Sequence, residues 1–67
     1  MYGYKAKNGG SSETAYDFKT LLGAKRAVPE GYIAEIFSYE KEVPQKIKAI
    51  GEIPMDAEFI CKYQKNR

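Results

Sequence analysis

Only one segment of this chain, residues 18–28, has the apolar spacing of an α-helix, and it constrains the fold most strongly. Thr20 is a suitable N-cap, and Pro29 ends the helix because proline cannot continue the backbone hydrogen bonding. At about 100° per residue the apolar positions form one stripe, which consists of Leu21, Ala24, Ala27 and Val28. A single helix of about ten residues is not stable alone in water. The rest of the chain must therefore supply a sheet for the helix to pack on.

Five segments alternate between apolar and polar residues, as half-buried β-strands do. They span residues 1–7, 13–18, 32–40, 46–53 and 57–64. Asn8 and Gly9 favour a tight turn that joins the first two segments as a hairpin. The third segment has Ile36 and Phe37 on opposite sides, which predicts a strand in the middle of the sheet.

These segments predict one α+β domain over residues 1–67, in the order β-β-α-β-β-β. The expected architecture is a five-stranded, mainly antiparallel sheet that is covered by one short helix. The alternation also assigns side chains to faces. In the first strand Tyr4 should face the core and Gly3 the opposite side, and in the last strand Phe59, Cys61 and Tyr63 should all face inward.

The composition argues against an enzyme. A chain of 67 residues buries only about 60% of its surface on folding, which leaves little room for a catalytic cavity. The absence of histidine removes His-based triads and imidazole metal ligands, and the single cysteine cannot form an all-cysteine zinc site. We therefore expect no catalytic residue, no metal site and no cofactor. One cysteine, with no secretion signal or membrane span in the sequence, predicts a cytoplasmic protein that has no membrane partner.

Eleven basic and nine acidic side chains give a net charge of +2, which is too balanced to indicate nucleic-acid binding by itself. Lys25 and Arg26 are more informative because they are adjacent cations on a rigid helix. They could bridge acidic groups of a partner protein or contact phosphates directly, although a solvated helix face is the simpler interpretation. The candidate partner-binding residues are Lys25, Arg26, Lys19, Tyr4, Lys46 and Lys48.

Glu40 and Glu42 form an ExE pair, which is the spacing of carboxylates in this sequence that suggests catalysis. The segment YEKEV, followed by IGEIP, resembles the C-terminal part of toxin-type ADP-ribosyltransferases, in which a glutamate binds the nicotinamide ribose. That family also needs an arginine-bearing strand far upstream and a much larger sheet to hold NAD. A charged hairpin edge is the favoured interpretation of these glutamates, and a fragment-like transferase is a remote alternative.

The order of elements and the segment TLLGAKRA, residues 20–27, resemble a group of small phage-encoded proteins. These are the anti-CRISPR proteins that inhibit type I surveillance complexes. One subset has the β-β-α-β-β-β order and a helix that reads (S/T)LxxAKRxA, in which Val28 here replaces the final alanine.

The resemblance implies a non-enzymatic inhibitor that acts in the bacterial cytoplasm on a protein or nucleoprotein complex, with a CRISPR effector as the suspected target. It implies that the helix, with Lys25 and Arg26, contacts the effector where target DNA would bind. The main alternative is a small nucleic-acid-binding module that uses a basic helix and sheet surface. A third is an accessory subunit whose sheet edge pairs with a partner.

Overall fold

The computed structural model describes residues 1–65, which contain four strands and two helices. In chain order these are β1 (Tyr2–Asn8), β2 (Ser11–Phe18), α1 (Leu21–Ala27), β3 (Ile33–Ser38), α2 (Gln45–Ile50) and β4 (Glu58–Gln64). The strands form one antiparallel sheet in the order β2-β1-β3-β4. The α+β class, the first hairpin and the central position of the third strand are therefore confirmed.

Helix α1 is shorter than the predicted helix over residues 18–28. The hydroxyl oxygen of Thr20 accepts a hydrogen bond from the amide of Gly23 at 2.9 Å, so the predicted N-cap is confirmed. Phe18 instead ends β2, where its ring stacks on Tyr4 with 5.9 Å between the ring centroids. Val28 leaves the helical conformation directly before Pro29, because a residue that precedes proline is pushed toward extended backbone.

The predicted strand over residues 46–53 is wrong, since residues 45–50 form helix α2. The ends of this segment explain the difference. The Pro44 carbonyl accepts from the amides of Ile47 and Lys48, and Gly51 ends the helix in the left-handed conformation with φ of 71°. Small or apolar residues alternate with mainly charged ones in KIKAIGEI, residues 46–53, which mimics a strand. Pro44 before this segment and Gly51 within it are nevertheless helix boundaries. Residues 1–65 consequently form a sheet of four strands rather than five, and the sheet is accompanied by two helices rather than one.

The core lies on both faces of the sheet, because consecutive residues of β3 are buried on opposite sides. Ile36 is fully buried on the face that α1 covers, and Phe37 is 2% exposed on the other face. The cluster beneath α1 contains Tyr4, Ala6, Ala24, Val28, Ala34 and Ile36. A smaller cluster, which Ile47 of α2 helps to cover, contains Phe37, Tyr39 and Val43. The molecule is a thin slab with dimensions of 33 × 24 × 15 Å.

Gly3 lies on the side of the sheet opposite Tyr4, as predicted, and it is buried beneath the ring of Phe37. One predicted side-chain direction needs correction. Phe59 was expected inside, yet it is 61% exposed, because the register between β3 and β4 shifts at residues 36 and 37. This irregularity places Phe59 opposite Phe37 and Cys61 opposite Ile36, so Phe59 and Cys61 no longer share a face.

Helix α2 is held to the sheet mainly by polar groups of β2. The hydroxyl of Tyr16 donates to the carbonyl of Glu52 at 2.6 Å, just after the helix, and the hydroxyl of Thr14 donates to the carbonyl of Gly51 at 3.0 Å. Asp17 adds an ion pair with Lys48 at 2.7 Å and accepts from the hydroxyl of Tyr39 at 2.8 Å. Asp17 is therefore the residue that connects β2, α2 and the second core cluster.

We expect part of the stability of this protein to depend on ionisation of Asp17. Hydrogen bonds from Lys48 and Tyr39 lower the pKa of the Asp17 carboxyl below its ordinary value of 3.8. The unfolded chain consequently takes up this proton first as the pH falls, so the stabilisation is present above about pH 4 and is lost below it. Chemical denaturation at several pH values should show a smaller loss on acidification for Asp17→Asn than for wild type. Equal losses in the two proteins would contradict a stabilising role for the charge.

Within residues 1–65, no helix is both long enough and apolar enough to cross a membrane.

Candidate functional site

The outer side of α1 presents an exposed apolar side chain beside cations. Ala24 and Val28 are buried against the sheet, so the opposite side of the helix faces solvent. Leu22 lies on that side and is 57% exposed. Arg26 is also exposed and follows Leu22 by one helical turn, which places both residues on the same face. Of the two leucines of α1, Leu21 packs against the core and Leu22 faces solvent.

The end of β4 brings a third cation to this helix. Lys65 donates from its ammonium group to the backbone carbonyl of Arg26 at 2.5 Å. Lys25, which is half-buried, places its ammonium group 5.7 Å from the ring centroid of Tyr63 on β4. Cations at this end of α1 also lie close to the negative end of the helix dipole. We name the combination of Leu22, Lys25, Arg26 and Lys65 the α1 surface.

Three of the six predicted binding residues belong to the α1 surface or border it. Lys25 and Arg26 lie within it, and Lys19 is exposed directly before the N-cap of the same helix. The ammonium group of Lys25 already makes a cation–π interaction with the ring of Tyr63, because a cation over an aromatic face is attracted to the ring electrons. Arg26 has the side chain that is more available to a partner.

Tyr4 does not reach this surface. It is 3% exposed, and its hydroxyl donates to the carbonyl of Ala27 at 3.1 Å, with the carboxylate of Glu13 as a second acceptor at 3.3 Å. Burial, together with the charge of Glu13, raises the pKa of Tyr4 to about 12. The hydroxyl therefore stays neutral and ties α1 to the sheet, which makes Tyr4 a core residue and removes it from the candidate contacts.

Lys46 and Lys48 lie on α2, at the face of the sheet opposite α1, and so are separate from the α1 surface. Lys48 is paired with Asp17. Lys46 is exposed at the rim of a cleft of about 510 Å³ whose apolar walls include Ile47 and Met55. The fold thus divides the predicted basic residues between two sides of the molecule.

Comparison of the chain with family models, with curated proteins and with solved structures found no match.

Two contributors to the α1 surface were missed from the sequence. Leu22 is not among the predicted contacts, although a helical projection from Ala24 and Val28 places it on the outer side of the helix. Lys65 carried no such signal, because its position depends on how β4 pairs with β3 beside α1. Glu40 and Glu42, the remote transferase candidates, are both exposed in the loop between β3 and α2.

Proposed function

We propose that this protein is a non-enzymatic inhibitor that docks its α1 surface onto an acidic, partly apolar face of a protein in a bacterial nucleoprotein defence complex. The observation that supports this most directly is the 57% exposure of Leu22 next to Arg26. Arginine is enriched in protein interfaces, and an exposed apolar side chain beside it adds area that a protein partner can bury. The suspected class of target, a type I CRISPR surveillance complex, rests on the resemblance of residues 20–28 to the anti-CRISPR helix.

A protein partner fits the α1 surface better than nucleic acid does. The cations Lys25, Arg26 and Lys65 could contact either carboxylates or phosphates. Leu22 distinguishes the two partners, because a phosphate backbone has no apolar pocket to receive an aliphatic side chain. A protein surface with an apolar pocket bordered by Asp or Glu satisfies both parts of the α1 surface. The proposed action, in the bacterial cytoplasm, is therefore occlusion of a protein surface.

We expect Leu22→Ala and Arg26→Glu each to weaken binding to a purified type I surveillance complex by a factor of ten or more, or about 1.4 kcal/mol. Truncation of Leu22 removes the apolar contact, and charge reversal at Arg26 places like charges opposite each other. Biolayer interferometry with the immobilised complex gives the affinities. Circular dichroism should show folded proteins, because both side chains are exposed.

The matched control is Lys46→Glu, which makes the same change of charge on α2 at the opposite face. Its affinity should stay within about twofold of wild type, since a rim charge far from the contact has little effect. Wild-type protein should also prevent the complex from binding its target DNA in a mobility-shift assay. Unchanged target binding, or an affinity that depends on Lys46 and not on Leu22 or Arg26, would overturn the proposal.

A further inference from the structure

The sheet surface opposite α1 is only partly covered. Helix α2 extends over Tyr16 and Phe37 and reaches Thr14 through Gly51. Beyond that point the strands are open to solvent and form a shallow cavity of about 280 Å³. We name this surface the open face; it is lined by Lys5, Lys7, Gly9, Ile33, Glu35 and Lys62.

Three lysines from two strands of the sheet, β1 and β4, meet on the open face. Lys5 lies directly across from Glu35 of β3, which in turn lies across from Lys62 of β4. Lys7 is two residues along β1, on the same side. Three lysines and one glutamate leave the face with a positive charge, and in the described part of the chain neither Lys5 nor Lys62 approaches Glu35 closely enough for an ion pair.

An exposed aromatic ring lies on the same side of the sheet, next along β4 from Lys62. Phe59 pairs across β4 and β3 with Phe37, which lies on the same side of the sheet as the lysines. Phe37 is buried in the core, whereas Phe59 is 61% exposed. An exposed phenylalanine beside lysines is the combination with which sheet surfaces stack a base and hold the adjoining phosphates.

We propose that the open face binds single-stranded nucleic acid, with Lys5, Lys7 and Lys62 on the phosphates and Phe59 stacked on a base. A flat sheet cannot enter a groove of a duplex, since groove recognition requires a protruding helix or ribbon. An extended single strand can lie across it and expose its bases to the ring of Phe59. Glu35 reduces the affinity because its carboxylate lies between Lys5 and Lys62.

The test is fluorescence anisotropy with a labelled oligothymidine of about 16 nucleotides, which is long enough for one small binding domain. Lys5→Gln combined with Lys62→Gln should weaken binding at least tenfold and lower the slope of log affinity against log salt by about 0.7 for each lysine removed. Phe59→Ala should weaken binding about tenfold through the lost stacking. Glu35→Gln should strengthen it severalfold, because the opposing charge is removed.

Two controls separate this proposal from the proposed inhibitor function. Lys46→Gln removes one positive charge, as each lysine substitution on the open face does, but the charge lies on α2. Leu22→Ala alters only the α1 surface. Both should bind the oligonucleotide within about twofold of wild type. Absence of binding by wild type at low salt, a preference for duplex of the same sequence, or no strengthening by Glu35→Gln would overturn the assignment. None of these outcomes affects the interaction of the α1 surface with a protein.

Discussion

Gly3→Ala is expected to remove most of the stability of this protein. A Cβ atom at this position would lie 2.6 Å from the carbonyl oxygen of Ala15 and 2.7 Å from Cζ of Phe37. The carbonyl belongs to the backbone of the neighbouring strand and cannot move without breaking the pairing of β1 and β2. The ring of Phe37 is 2% exposed and is confined by Tyr16 and Tyr39. Overpacking of this kind costs about 3 kcal/mol, which is comparable with the roughly 3–5 kcal/mol that stabilise so small a domain.

Gly10→Ala is the matched control for Gly3→Ala. Gly10 lies in the turn between β1 and β2, and a Cβ atom there would meet nothing within 4 Å. Its substitution should change the free energy of unfolding by less than about 1 kcal/mol. Urea denaturation followed by circular dichroism compares the two variants directly. If Gly3→Ala were as stable as Gly10→Ala, the close packing of Phe37 on Gly3 would be refuted.

Asp17→Ala is expected to lower the free energy of unfolding by about 2–4 kcal/mol. The substitution removes the acceptor of the Tyr39 hydroxyl, which belongs to a side chain that is only 3% exposed, and the partner of Lys48. It also places alanine at φ of 68°, where its Cβ is strained. The exposed ion pair itself contributes little to this loss, so the hydroxyl and the backbone account for most of it.

Asp17→Gly separates these two causes. Glycine loses the same hydrogen bonds as alanine but adopts the left-handed conformation without strain. Asp17→Gly should therefore be more stable than Asp17→Ala by about 1 kcal/mol, although still less stable than wild type. Thermal or urea denaturation of the three proteins measures both differences. Should the alanine variant prove at least as stable as the glycine variant, residue 17 does not occupy the left-handed region.

Local sequence patterns predicted those elements whose signals agree with one another. Helix α1 combined an N-cap at Thr20, an apolar stripe and a stop at Pro29, and it formed between these residues. Residues 46–53 carry two conflicting signals, namely the alternation typical of a strand and the helix boundaries at Pro44 and Gly51. In a segment of six helical residues the periods of helix and strand are hard to distinguish, so the boundary residues are the more informative signal.

The candidate site contains residues that are brought together by contacts between segments far apart in the sequence. Lys25 and Arg26 followed from the helix alone, whereas Lys65 reaches α1 only because β4 pairs with the far side of β3. Tyr4 is a predicted contact that the fold excludes, because its hydroxyl donates to the carbonyl of Ala27 and the carboxylate of Glu13. Whether an aromatic residue is a contact or a core residue is thus decided by tertiary packing.

The molecule is a thin slab, so two ligands on its opposite faces would lie close to each other. The α1 surface and the open face lie on opposite sides of the same sheet, and the smallest dimension of the molecule is 15 Å. A protein held by Leu22 and Arg26 and a strand held by Lys5 and Lys62 could therefore be bound together without colliding. Under the two proposals above, the chain would hold a single strand beside the complex that it inhibits, at a distance close to its own thickness.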